Sequence, residues 1–237
     1  MKKMNVLIAC EESQRVCIEF RRKGHNAFSC DIQPCSGGHP EWHIQGDVLE
    51  ILNPTQLQTP VGDVYEGIEF KTTDGVWHTV QPKWDMIIAH PPCTYLCSLG
   101  TVWFSEKYPI EKRVERKKNQ EDAIRFFLSF VNADCEKIAI ENPVGIMSTQ
   151  YKKPTQYIQP YEYGEPFTKK TCLWLKNVPK LEPTNIVEPV GGHWVSAGIK
   201  NRESQNRAVN KSGVGESKKA RSKTFIGWAK AMADQWG

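Results

Sequence analysis

The chain has no run approaching the roughly eighteen consecutive apolar residues of a membrane-spanning helix, so no membrane partner is expected. Its opening, two lysines and then Asn5-Val6-Leu7-Ile8-Ala9, is too short for the apolar core of a secretory signal. It reads as a first strand, and a cytoplasmic protein is expected. Charge of one sign is scarce as well: a formal net charge of +4 over 237 residues permits nucleic-acid binding without requiring it. There is no internal repeat, which sets aside solenoids and propellers. Glycine is missing from the turn after the first strand, Ala9-Cys10-Glu11-Glu12-Ser13-Gln14, where close approach of the backbone to a ligand usually calls for one. Cysteine is plentiful by contrast. Eight of them, in a chain neither short nor secretory in character, read as free thiols rather than as a disulfide framework.

A chain of this length buries one substantial core with room for a small appended lobe. Val6 to Cys10 is apolar without alternation, as a strand covered on both faces must be. Glu12 to Lys23 has helical spacing, with Val16, Cys17 and Phe20 on one face and Gly24 as its stop. Asn26 to Cys30 returns as a strand that ends at Asp31, completing a βαβ opening of the nucleotide-binding kind. Residues 32–47 form a loop rich in Pro, Gly and His, and Asp47 caps a short helical stretch from Val48 to Leu52. Val64 to Phe70 and Val76 to Val80 flank the turn Thr73-Asp74-Gly75, which predicts an exposed β-hairpin inserted at about 61–82. Trp84 to Ala89 and Ile138 to Ile140 return to the main sheet. Between them lies an amphipathic helix over Pro109 to Asn132, heavily charged in its first part. After Pro143 the chain reads as irregular to about residue 167; Thr171 to Leu175 is one more strand. A final helix, Ser222 to Trp236, carries Phe225, Trp228, Ala229 and Met232 on an apolar face. The expected fold is therefore α/β, a mostly parallel sheet with helices on both faces. A core over 1–145, a small irregular basic region over 146–220 and a helix over 221–237 packing back on the core are the expected divisions. From Lys200 to Lys230 many lysines and arginines are opposed only by Glu203 and Glu216. Such a segment suits phosphate contacts, or is a solvated loop.

Two strand ends carry the chemistry. Asp85-Met86-Ile87-Ile88-Ala89-His90 runs into Pro91-Pro92-Cys93-Thr94. The two prolines hold the chain extended, so Cys93 leaves the sheet in a fixed direction, as a nucleophilic thiol requires. A buried structural cysteine in a tight turn is the alternative. The second stop, Lys137-Ile138-Ala139-Ile140-Glu141-Asn142-Pro143, ends in a carboxylate. Glutamate is rarely buried unpaired, and ligands sit at the carboxyl edge of such a sheet. Pairing the two makes covalent catalysis the better reading of Cys93. His90 is placed either to orient a substrate group or for structure, and Tyr95 and Trp103 either to stack on a base or to fill the core. Cys30, Cys35, His39 and His43 come nearest to a zinc set, but without the defined four-ligand spacing of one; no metal is expected, and His39 and His43 are expected to line a loop near the cofactor.

These motifs, in this order, resemble those of the cytosine-C5 DNA methyltransferases, in particular a compact branch found in phages and bacteria. The resemblance covers about residues 5–145, and the closing segment from Arg221 to Gly237 is similar to the ending of that branch. It implies a Rossmann-like class I methyltransferase fold, S-adenosylmethionine as cofactor, and DNA as partner with a cytosine flipped out of the duplex, acted on by a monomer. It implies catalytic roles for Cys93 in Pro92-Cys93 and for Glu141 in Glu141-Asn142. Cofactor binding is implied for Cys10, Glu11, Asp31, Ile32, Asp47, Val48 and Pro91, and substrate binding for Pro92, Thr94, Asn142, Lys169 and Lys170, the two lysines standing where the family has an arginine motif. Thr94 replaces the family's glutamine, Pro143 its valine, and the first loop lacks its glycines. The implied chemistry is addition of the Cys93 thiolate to cytosine C6 while Glu141 holds N3 and N4. A pyrimidine-nucleotide enzyme using the same thiol addition with another target or one-carbon donor, and a catalytically idle DNA-binding relative, stay open as alternatives.

Overall fold

A computed structural model describes residues 2–98, 103–189 and 223–237. Most of the basic stretch expected at 200–230 lies outside the described residues. Ten strands are described: β1 (Asn5–Ala9), β2 (Asn26–Asp31), β3 (His43–Gln45), β4 (Thr55–Gln58), β5 (Val64–Lys71), β6 (Trp77–Val80), β7 (Met86–Ala89), β8 (Lys137–Pro143), β9 (Gln156–Ile158) and β10 (Thr171–Lys176). The helices are α1 (Arg15–Arg22), α2 (Ile110–Val131), the single turn α3 (Met147–Gln150) and α4 (Ile226–Trp236). Seven strands form one sheet in the order β3-β2-β1-β7-β8-β10-β9. β3, β2, β1, β7 and β8 run parallel, and β10 lies antiparallel between β8 and β9. This is a mixed α/β fold, compatible with a Rossmann-like architecture.

Side chains alternate across each strand, and here both faces are covered. Val6, Ile8, Ala27, Met86, Ile88, Ala139 and Leu173 point to one face, under Val16, Cys17 and Phe20 of α1 and Trp228, Ala229, Met232 and Trp236 of α4. Leu7, Ala9, Phe28, Ile87, Ala89, Ile138, Ile140 and Trp174 point to the other, under Phe127 and Phe130 of α2. That double burial is why the strands read as unbroken apolar runs.

The hairpin stands exposed on one face only. β4 adds a third strand, and Ile68, Phe70 and Val80 sink into the second face of the core. The Phe70 ring meets Phe28 edge-on at 5.0 Å and stacks on Trp84 at 5.5 Å. The alternation along β5 and β6 was legible, but the sheet face left uncovered by helices, which draws the inner residues in, was not. β4 and β9 also escaped the sequence pattern: the residues of β4 are mostly exposed and β9 is three residues long, so neither shows a marked apolar period. β9 and β10 complete the main sheet. The last helix begins at Ile226 rather than Ser222, because Phe225 is extended and turned into the core.

If the hairpin is part of the core, Phe70→Ala should lower the unfolding free energy by about 3–5 kcal/mol. Trp77→Ala, on the outer face and 64% exposed, should change it by no more than about 0.5 kcal/mol. Urea titration of both variants checks this.

Candidate active site

The chain leaves β1 for β2 and β3 on one side and returns to β7 and β8 on the other, so a crevice opens at the carboxyl ends of β1 and β7. β7 and β8 are neighbours, with Ala89 beside Ile140. The next residues, His90 and Glu141, therefore emerge side by side, and His90 Nδ1 lies 3.2 Å from Glu141 Oε2. Asn142 Nδ2 donates to the Pro91 carbonyl at 2.6 Å. Beyond Cys93 the chain turns tightly: the Leu96 and Cys97 N–H groups donate to the Cys93 carbonyl at 3.0 and 2.9 Å. The turn then meets the segment after β8, where Ile146 N–H donates to the Leu96 carbonyl at 2.9 Å and Cys97 bridges to Gly145. A Cβ on Gly145 would collide with the Leu96 carbonyl and stand 2.8 Å from Cys97 Cα. Only glycine allows this approach.

The charges around the thiol are organised. Burial raises the Cys93 thiol above its ordinary value, and Cys97 and Glu141 raise it further, with Lys169 pulling the other way. Burial pushes Glu141 up, but the His90 hydrogen bond and the Lys169 charge outweigh it and hold the carboxyl below its ordinary value. A neutral thiol thus stands beside a carboxylate, and Lys169 acts on both. The Glu141 side chain is only 13% exposed. Its Oε1, with His90 Nε2 and Asn142 Oδ1, is buried without a hydrogen-bond partner among the described residues. Buried polar atoms are nearly always satisfied; these three, at one pair of strand ends, concentrate unmet hydrogen-bonding capacity that a polar group entering the crevice could use.

The residues expected to hold a cofactor divide into two groups. Cys10 adopts φ +60°, the left-handed region a glycine would take without strain, at a cost of about 1–2 kcal/mol. Gln14, also left-handed at φ +58°, is fully buried. Its amide donates to the His39 carbonyl at 2.8 Å and accepts from His39 N–H at 3.0 Å, tying the first loop to residues 36–39. Cys10 lies near Asp31 and Asp47, whose charges add to burial in raising its thiol. Asp31 is raised by burial and accepts from Gln33 N–H at 2.9 Å, while Ile32 beside it is 76% exposed. Asp47 accepts from Leu49 N–H at 3.0 Å and caps a short 3-10 turn, Val48–Ile51. Two residues turn inward instead. Val48 is packed in the core, and the Glu11 carboxylate accepts from Val16 and Cys17 N–H at 2.7 and 3.2 Å, capping α1.

Pro91 is buried, whereas Pro92 and Thr94 are exposed at the mouth. The Lys170 ammonium lies 4.2 Å over the Tyr157 ring. His43 is fully engaged, with Ser29 Oγ and the Gln33 carbonyl each at 2.9 Å, and His39 stacks on Trp42 at 3.8 Å. Among the described residues no group of three or more His, Cys, Asp and Glu is placed to hold a metal ion. Sequence reasoning missed two residues at this site. Gly145 had a faint signal, a glycine two residues past a proline. Arg116, whose Nη2 donates to the Thr94 carbonyl at 3.0 Å, had none, since one cation on a charged helix looks like the rest. No family model matches the chain, and no curated protein matches it.

Burial raises the Glu11 carboxyl to about 7, with His90 and the Val16 and Cys17 N–H groups opposing and Glu12 assisting. Between its unfolded value near 4.5 and about 7 the folded chain holds a proton that the unfolded chain has released. Stability is therefore full below about pH 4.5 and falls as pH rises to about 7, by something on the order of 3 kcal/mol. Glu11→Gln keeps the acceptor for α1 and should lose this fall, as denaturant titrations from pH 5 to 8 would show.

Proposed function

We propose that the chain is a DNA cytosine-C5 methyltransferase with Cys93 as nucleophile and S-adenosylmethionine as methyl donor. One observation carries the reading: the Cys93 thiol and an unpartnered, buried Glu141 oxygen stand at adjacent strand ends that Asn142 ties together. A cytosine ring offers groups for both. Its C6 accepts a thiolate, and its N3–N4 edge, with N3 protonated, donates to a carboxylate. The antiparallel β10 inserted between parallel strands suits the class I methyltransferase variant of the Rossmann-like sheet.

The first edge of the crevice fits the cofactor. Cys10 supplies the left-handed turn of a glycine, Asp31 is an acceptor for hydroxyl groups, and exposed Ile32 is an apolar face for a flat ring. S-adenosylmethionine, when bound, supplies a methyl group as a sulfonium electrophile. The chain's own residues do the rest. As the Cys93 sulfur bonds to C6 its proton passes to ring N3, Glu141 accepts from the N3–H and N4–H of that edge, and His90 and Lys169 keep the carboxylate ionised. Loss of the C5 proton to a base and expulsion of the thiolate then restore the aromatic ring. The neutral thiol is a masked nucleophile at rest, which spares it from side reactions.

Incubation with tritiated S-adenosylmethionine and duplex DNA containing 5-fluorocytosine should give a labelled covalent adduct that survives denaturation. Cys93→Ala should give none, and Glu141→Gln should slow transfer to ordinary DNA by about 10²–10⁴-fold. No adduct together with no cofactor binding by calorimetry would sink the proposal. Label transferred to free dCMP but not to DNA would make the protein a nucleotide-modifying enzyme.

A further inference from the structure

We infer that the first turns of α2 form the surface on which duplex DNA lies beside the Cys93 mouth; the inference rests on the reading of that mouth as a DNA-cytosine site. α2 has 22 residues and so is about 33 Å long. β7 and β8, with four and seven residues, span about 13–23 Å. The helix outruns the sheet, and its core contacts show which end is spare. Ala123, Ile124, Phe126, Phe127, Leu128, Phe130 and Val131 pack into the core over the sheet, whereas the apolar residues of 110–118, Ile110 and Val114, are exposed. The spare end stands at the carboxyl edge, because Arg116 Nη2 donates to the Thr94 carbonyl at 3.0 Å, Gln120 Nε2 to the Tyr95 carbonyl at 3.1 Å and Asn119 Nδ2 to the Tyr95 hydroxyl at 3.4 Å.

That projecting end is basic where the site is open. Lys112, Arg113, Arg116, Lys117 and Lys118 face only Glu111 and Glu115 over residues 110–118, and Lys112, Lys117 and Lys118 are exposed. Arg113 Nε is buried without a partner among the described residues. Trp103, 46% exposed, lies 5.9 Å from the Arg116 guanidinium, which also sits 5.0 Å over Tyr95. A cationic rail beside half-open aromatics, anchored one residue past a thiol suited to a pyrimidine through the Arg116–Thr94 bond, fits a phosphate backbone flanking an extruded base. Arg116 is the strut that fixes the rail to the Cys93 loop, so DNA bound along α2 presses directly on the nucleophile's turn.

The test is fluorescence anisotropy with a labelled duplex, without cofactor, at several salt concentrations. The triple variant Lys112→Gln, Lys117→Gln, Lys118→Gln should bind at least tenfold more weakly at low salt. The slope of log affinity against log salt should be shallower by about 2–3. A control triple at the opposite edge of the sheet, Lys2→Gln, Lys3→Gln, Lys83→Gln, removes the same charge and should stay within about threefold of wild type. All substituted side chains are at the surface, and thermal melts should overlay. Wild-type-like binding by the α2 triple, equal weakening by both triples, or tighter binding of RNA than of DNA would each overturn the inference. The failures are separable. DNA binding that follows α2 while no methyl transfer occurs overturns only the proposed activity, and a normal 5-fluorocytosine adduct with α2-independent binding overturns only the surface.

Discussion

The hydrogen bond from Asn142 to the Pro91 carbonyl ties the end of β8 to the loop that follows β7. It engages the Asn142 amide nitrogen with the proline backbone and leaves its oxygen buried without a partner among the described residues. The parallel pairing of β7 with β8 brings the ends together; this bond and the Gly145–Leu96 approach keep them together. The prolines then aim Cys93, and the register aims Glu141. Neither side chain would be held without the other's loop.

The opposite edge of the crevice is built by a different economy. Where a glycine would let the backbone turn freely, Cys10 and Gln14 take the left-handed conformation and buried contacts hold them there. Gln14 binds residue 39, Glu12 accepts from the Ser36 hydroxyl and its own carbonyl from Ser36 N–H, and the approach to α4 closes over them. Arg15 Nη1 donates to the Thr224 carbonyl at 2.6 Å and Lys223 Nζ to Ser36 Oγ at 2.9 Å. Residues 209 and 187 positions apart thus brace the same turn. Strain in the backbone is tolerated because its surroundings leave no alternative.

Electrostatics divide the site into a quiet thiol and a committed carboxylate. Burial alone would neutralise both. His90 and Lys169 reverse that outcome for Glu141, whereas Lys169 only tempers it for Cys93. The difference lies in contact: Glu141 has a direct hydrogen bond to His90, whereas Cys97 and Glu141 add to burial in raising Cys93. Lys169 enters from the segment before β10, the strand that runs against its neighbours, so the antiparallel insertion is what brings a cation to a parallel-sheet edge.

The sequence by itself determined the parallel strands, because a strand buried on both faces must be apolar throughout, and it marked the end of β7 before Pro91; β8 instead runs on through Glu141 to Pro143, because β10 pairs with it there. Cys93, Glu141 and the βαβ opening were legible for that reason. The hairpin strands were legible too, but not their burial, since alternation shows that one face is apolar and not what will cover it. Tertiary structure alone decided that Glu11 caps a helix, that Cys10 takes a left-handed turn, and that Arg116 props the Cys93 loop. Each depends on a partner far along the chain or on a backbone angle, and local composition encodes neither. The strand ends are written in residue type; what each one touches is settled only when the sheet closes.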